Sequence, residues 1–372
     1  MEYSYTNSVA ARTNVISLCR LVAAVAWLAM ASQGQAAPSS AEENDSQPMS
    51  RTGPVPPPEV KAPEVSILAA NVAILNVPSY IWHHGCGPTA VGMVVGYWDQ
   101  YGYDDLVPGN ADQQTADVNQ TIASGGTAGA PQPAGSEQHY EDYASPEEII
   151  HTNILDDAYI TAGRAAHAND SIADYLLTSR STINLPYGWS RGGDIAPGFE
   201  DFIDDFGAKY HGDSTLHKFS VSLDWDLLCD EIDSQCPMVF LVDSRGNGQT
   251  DHLVTVVGYR EVAGAKEYGC YDTWNHVLRW ERFRAMSATY SWGVYCGYTI
   301  GVRHDDVHWV DFDYGDASNG DFTQPYHTLD AARGAAGSGD AIWIKAGSSS
   351  ETLVLDTPMT LHAFKGNVVI GD

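Results

Sequence analysis

The hydrophobic pattern is densest between Pro88 and Trp98, where almost every residue is apolar. The length suits a helix, and Pro88 suits its first turn because a helix start leaves N–H groups unpaired that proline lacks. A helix that is apolar all round is predicted to lie in a core. Helix-period patterns recur at about 146–160, 170–179, 195–206 and 225–232. From Pro237 the rhythm becomes strand-like. Pro237 to Asp243 is a compact apolar run, Gly246 to Gly248 supplies turn chemistry, and His252 to Tyr259 is the next strand. A polar turn at Ala263 to Lys266 returns the chain through Glu267 to Trp274, which predicts an antiparallel hairpin. Strands at 277–283 and 294–302 would extend the sheet, and another enters at 67–75. Helices followed by antiparallel strands predict an α+β fold.

Three stretches fall outside these rhythms. Arg12 and Arg20 precede an apolar run from Leu21 to Ala31, with Gly34 and Ala36 beyond it, so residues 1–36 read as a signal peptide. The run is roughly half the ~20 residues a membrane-spanning helix needs. Residues 37–65, polar and then proline-rich from Pro54 to Pro63, read as an extended linker. Gly109 to Gly135 is rich in Gly, Ala, Gln, Thr and Ser and reads as a surface excursion beside a cleft.

Charge narrows the partners. The 372 residues carry 48 acidic against 19 basic side chains, a formal charge of −29, which speaks against nucleic acid and against an anionic membrane surface. A secreted or cell-envelope protein fits, with no membrane contact after leader removal. Without Cys19, five cysteines remain: Cys86, Cys229, Cys236, Cys270 and Cys296. The odd count allows two disulfides and one free thiol in an oxidising compartment. Cys229 with Cys236 and Cys270 with Cys296 is one of three connectivities.

Cys86 stands at the mouth of the apolar helix, where unpaired N–H groups and the positive end of the helix dipole are expected to lower a thiol's pKa. A thiolate nucleophile needs a base, and that base needs a group to fix its tautomer. The hairpin offers both, with His252 starting one strand and Asp272 near the end of its partner.

Three stretches together resemble a papain-like cysteine peptidase, most similar to the bacteriocin-processing type: Gly85 to Ala90, Asp251 to Tyr259 and Tyr271 to Trp274. The resemblance covers roughly 66–304. It implies a helical part carrying the cysteine and an antiparallel sheet carrying His252 and Asp272. It also implies peptide or protein substrates, Cys86 as nucleophile, His252 as base and then acid, and Asp272 as orienter with Asn275 as fallback. Trp274 would shield the His252–Asp272 contact, and no cofactor is implied. The backbone N–H of Cys86 would be one oxyanion donor, a contribution on the order of 3 kcal/mol. The family's second donor is a glutamine six residues before the cysteine, where this chain has Tyr80. His84 is the preferred substitute, with Tyr80, His83 and Asn76 as the other candidates. Two other classes use the same residues: a catalytically weak or inactive papain-fold surface or binding protein, and a transglutaminase-like acyl transferase.

No zinc-binding spacing occurs among the 13 histidines. The acidic run from Asp311 to Asp321 has oxygen ligands suited to calcium but misses the EF-hand register, and reads as a solvated loop. Residues 305–372 combine that loop, a short helix at Thr328 to Ala336 and short strands with Gly or Pro turns. They resemble the opening of a pectate-lyase-type right-handed β-helix. At most two coils are expected, too few to bury their faces alone.

Overall fold

The computed structural model of the chain describes residues 48–63, 70–123, 171–179, 183 and 185–371, all within one compact unit, Ser46–Asp372. The leader at 1–36, the excursion beyond 123 and the helix expected at about 146–160 lie outside the described residues.

The apolar run forms helix α1, Cys86–Gln100, with every residue from Cys86 to Asp99 buried. A helix with no polar face must be covered on all sides. One side packs on the sheet, where the Thr255 hydroxyl donates to the carbonyl of Ala90 at 2.8 Å. The other is covered by two short helices, α2 (Ala116–Ile122) and α3 (Ile172–Tyr175).

The main sheet is combined with these helices in an α+β arrangement, and its neighbouring strands are all antiparallel. Its order is β4 (Tyr210–Lys218), β9 (Gly293–His304), β5 (Met238–Asp243), β6 (His252–Val262), β7 (Ala265–Tyr271) and β8 (Arg279–Arg282). Strand β2 (Ala70–Ile74) pairs with the far half of β6. All six residues of β5 are buried, the first five as an unbroken apolar run in a central strand requires. The expected hairpin is β6–β7. Its turn residues Ala263 and Gly264 both have positive φ, 49° and 79°, which matches the right-handed twist of the paired strands. Helices α4 (Ile195–Asp204) and α5 (Trp225–Asp233) complete this part.

Three parallel strands follow in chain order: β10 (Val307–Val310), β11 (Ala341–Ser349) and β12 (Thr360–Ile370), with helix α6 (Leu329–Ala335) between the first two. Their apolar side chains continue the main core. Trp309 packs edge-on to Phe322 and Phe364, Phe322 packs on Trp98 of α1, and the Trp309 indole donates to the Tyr103 hydroxyl at 3.2 Å.

The segment read as a linker is built into the fold over residues 48–63. Met49–Ser50 forms strand β1, antiparallel to β3 (Ser190–Arg191), and Met49, Ser50 and Thr52 are buried. Proline-rich composition predicts an extended chain, and extended backbone is what a sheet edge accepts.

All five described cysteines are free thiols in this structure, and neither expected pair forms. Cys270 lies on β7 and Cys296 on β9, with β5 and β6 between them. Three strand spacings are about 14 Å, beyond the roughly 7 Å that a disulfide can span between Cα atoms.

Candidate active site

Cys86 is the first residue of α1, and its surroundings explain the small residues beside it. A Cβ at Gly87 would lie 2.8 Å from the Ser190 hydroxyl, and one at Gly85 would lie 2.9 Å from the Pro88 ring. The Thr89 hydroxyl accepts from the His83 N–H at 2.9 Å and donates to the Gly85 carbonyl at 2.7 Å, folding the incoming loop onto the helix start. The cysteine is therefore held by backbone geometry on both sides.

His252 begins β6, opposite Val242 of β5. Its Nε2 meets the backbone carbonyl of Asp272 at 2.7 Å. A carbonyl only accepts, so in the neutral imidazole Nε2 carries the proton and Nδ1 is the free acceptor. Nδ1 and the cysteine both meet one residue, Thr52. The Thr52 hydroxyl is 2.5 Å from Nδ1 and 3.5 Å from Cys86 Sγ. Trp274, expected to cover the histidine contact, lies face to face with the imidazole at 4.0 Å, and Trp292 meets the ring edge.

Asp272 is in contact with His252 through its main chain. Its carboxylate turns the other way, accepting from Arg279 Nε at 3.0 Å, from the Trp274 N–H at 3.0 Å and from Asn275 Nδ2 at 3.3 Å. Asn275, the fallback orienter, thus contacts Asp272. Arg279 is buried, lies over the Trp292 ring and also reaches the Glu281 carboxylate and the Lys61 carbonyl. This arginine had no sequence signal beyond its charge. It fixes the turn whose carbonyl holds the histidine.

The oxyanion candidates fall in different places. The Tyr80 hydroxyl donates to the Ala111 carbonyl and occupies the space beside Gly96. Ten residues along a helix are about 15 Å, so Tyr80 is remote from the helix start. His84 adopts a left-handed backbone, φ 63°, and its buried ring packs edge-on against Tyr187 at 4.5 Å. Trp82 presents a donor near the cysteine instead: its indole N–H reaches the Thr52 carbonyl at 3.1 Å. An indole four residues before Cys86 is legible as a donor, but the family pattern directs attention to a side-chain amide six residues before the cysteine.

Burial dominates the electrostatics. It pushes the Cys86 thiol up, against opposing pulls from the Thr52 hydroxyl, the Leu253 backbone and Ser50. The helix start was expected to lower this pKa, and with the site closed the cost of a desolvated thiolate is larger. Burial also drives His252 down to about 3, with the Asp272 carbonyl opposing and the Arg279 charge assisting. In the closed site both groups are neutral.

The sequence matches no family model and no curated protein. Among the described residues no cluster of His, Cys, Asp or Glu could hold a metal ion, and no helix is long and apolar enough to cross a membrane.

Proposed function

We propose that the protein is a papain-like cysteine peptidase that hydrolyses extended peptides, with Cys86 as nucleophile and His252 as base and acid. One observation carries the assignment: the Thr52 hydroxyl is within reach of both the thiol and Nδ1, while Nε2–H is anchored to a carbonyl. That anchoring leaves the lone pair of Nδ1 toward the hydroxyl that also meets the thiol, the tautomer a base needs. The expected leader at 1–36 supports action outside the cytoplasm.

With Thr52 withdrawn, Nδ1 takes the thiol proton and Sγ attacks the peptide carbonyl. The oxyanion meets the Cys86 N–H and the Trp82 indole N–H. The imidazolium returns its proton from Nδ1 to the leaving amine as the C–N bond breaks, leaving a thioester. Water, deprotonated by Nδ1, then hydrolyses the thioester and restores the thiol. Throughout, the Asp272 carbonyl accepts from Nε2–H and stabilises the positive ring.

Overnight incubation of the full chain with a mixed peptide library, followed by mass spectrometry, tests the assignment. New peptide termini from wild type, and none from Cys86→Ala or His252→Ala, are expected. Equal products from wild type and Cys86→Ala, or none from either wild type or a Met49→Asp chain, would overturn it.

A further inference from the structure

Six residues at the start of the described chain, Pro48 to Gly53, cross the candidate active site as an extended strap. Their backbone is engaged at every step. The Pro48 carbonyl accepts from Gly192 N–H at 2.8 Å, and Met49 N–H donates to the Thr250 hydroxyl at 2.8 Å. Ser50 pairs with Ser190 across β1–β3. The N–H groups of Arg51 and Thr52 both donate to the Asp251 carbonyl, at 2.6 and 3.1 Å. The Thr52 and Gly53 carbonyls accept from the indoles of Trp82 and Trp274, at 3.1 and 3.0 Å. Backbone recognition of this kind binds any strand, and the pockets beneath alternate side chains select among sequences.

Those pockets are specific. Met49 is 1 % exposed, Ser50 0 % and Thr52 2 %, whereas Arg51 is only part-buried and lies over the Trp189 ring. The groove takes a long apolar residue, then a small one, then a tolerant position, then a small residue beside the thiol. With Thr52 in place Cys86 is fully buried, and the Thr52 hydroxyl occupies Nδ1.

We propose that the groove lined by β3, Asp251, Trp82 and Trp274 is a binding site for an extended apolar–small–X–small peptide, and that the chain's own Pro48–Gly53 strap is its resident ligand. Thr52 acts as the latch: its hydroxyl satisfies Nδ1 and shields Sγ, so the thiol is inaccessible until the strap leaves. The peptide class deepens the peptidase assignment and rests on it only for the chemistry after strap release.

The experiment uses the full chain carrying Met49→Asp, which places a charge where a fully buried apolar side chain stands. Iodoacetamide labelling is mapped cysteine by cysteine. The expected result is labelling of Cys86 at least about tenfold faster than in wild type, a modest loss of strap affinity, with the half-buried Cys229 unchanged. A synthetic peptide spanning Pro48–Gly53, added in excess, restores protection of Cys86, and the same peptide with aspartate for methionine does not. If Met49→Asp also exposes Cys236, Cys270 and Cys296, the fold has opened, and Thr250→Val, which removes the partner of the Met49 N–H, decides in its place. Unchanged labelling of Cys86 in a folded variant overturns the latch. Faster labelling that the peptide fails to suppress overturns the peptide site. Labelling and peptide protection without any hydrolysis leave the groove standing and remove the peptidase.

Discussion

His252 donates from Nε2 to the main-chain carbonyl of Asp272 at 2.7 Å, while the Asp272 carboxylate faces away toward Arg279 at 3.0 Å. Orientation of the imidazole thus depends on the shape of a turn, and the buried ion pair holds that turn.

Arg279→Met would leave the Asp272 carboxylate buried without its cation, a loss of about 3–5 kcal/mol for a broken buried pair. Urea unfolding should register most of that loss. Asp272→Asn keeps the carbonyl, so peptide turnover should fall less than in His252→Ala. Equal losses in the two variants would mean that the carboxylate itself orients the ring.

Stability should carry the signature of His252. Its imidazole accepts a proton near 6.5 when unfolded and only near 3 when folded. The unfolded chain binds more protons in that window, so this group's contribution is present above 6.5 and is lost as pH falls toward 3. Asp251, raised by burial from 3.8 to about 6, has the opposite sign, and its contribution is lost as pH rises through that interval. The useful quantity is therefore the difference between wild type and His252→Gln. It should slope by up to about 1.4 kcal/mol per pH unit between those limits, measured by urea unfolding at fixed pH steps. A flat difference would contradict a buried neutral imidazole.

Trp82→Phe removes the indole N–H and shrinks the side chain by three ring atoms. If that N–H serves the oxyanion, kcat should fall on the order of a hundredfold with little change in KM. The comparison is best made in the Met49→Asp chain, where the strap's own use of Trp82 is removed. A change confined to KM would assign Trp82 to peptide binding alone.

Trp309 joins the C-terminal strands to the core around α1 through Phe322, Phe364 and Tyr103. Trp309→Ala should cost about 3–5 kcal/mol and shift a single unfolding transition. A second, separate transition for the C-terminal strands would show that the two parts fold independently.

Much of the architecture around the site was legible in the pattern. The apolar run gave α1 with Cys86 at its start, and short apolar runs bounded by turn residues gave β5, β6 and β7 with His252 at a strand end. What was illegible had physical causes. A sequence motif advertises side chains, so it pointed to the Asp272 carboxylate when the contact is made by its carbonyl. Thr52 has no periodic neighbours, and its place depends on the pairing of Ser50 with Ser190 and on its own N–H bond to the Asp251 carbonyl, far along the chain. The helix start at Cys86 suggested a lowered thiol pKa, whereas burial raises it, and local sequence carries no information on that burial.

The pairing of Cys86 with His252 is tested most directly by the pH profile of Cys86 alkylation in the Met49→Asp chain, with and without His252→Ala. An activated pair should label with a rise well below pH 8.5, the range of an ordinary thiol, and His252→Ala should move that rise up to the ordinary range. Superimposable profiles from the two chains would contradict the assignment of His252 as the partner of Cys86.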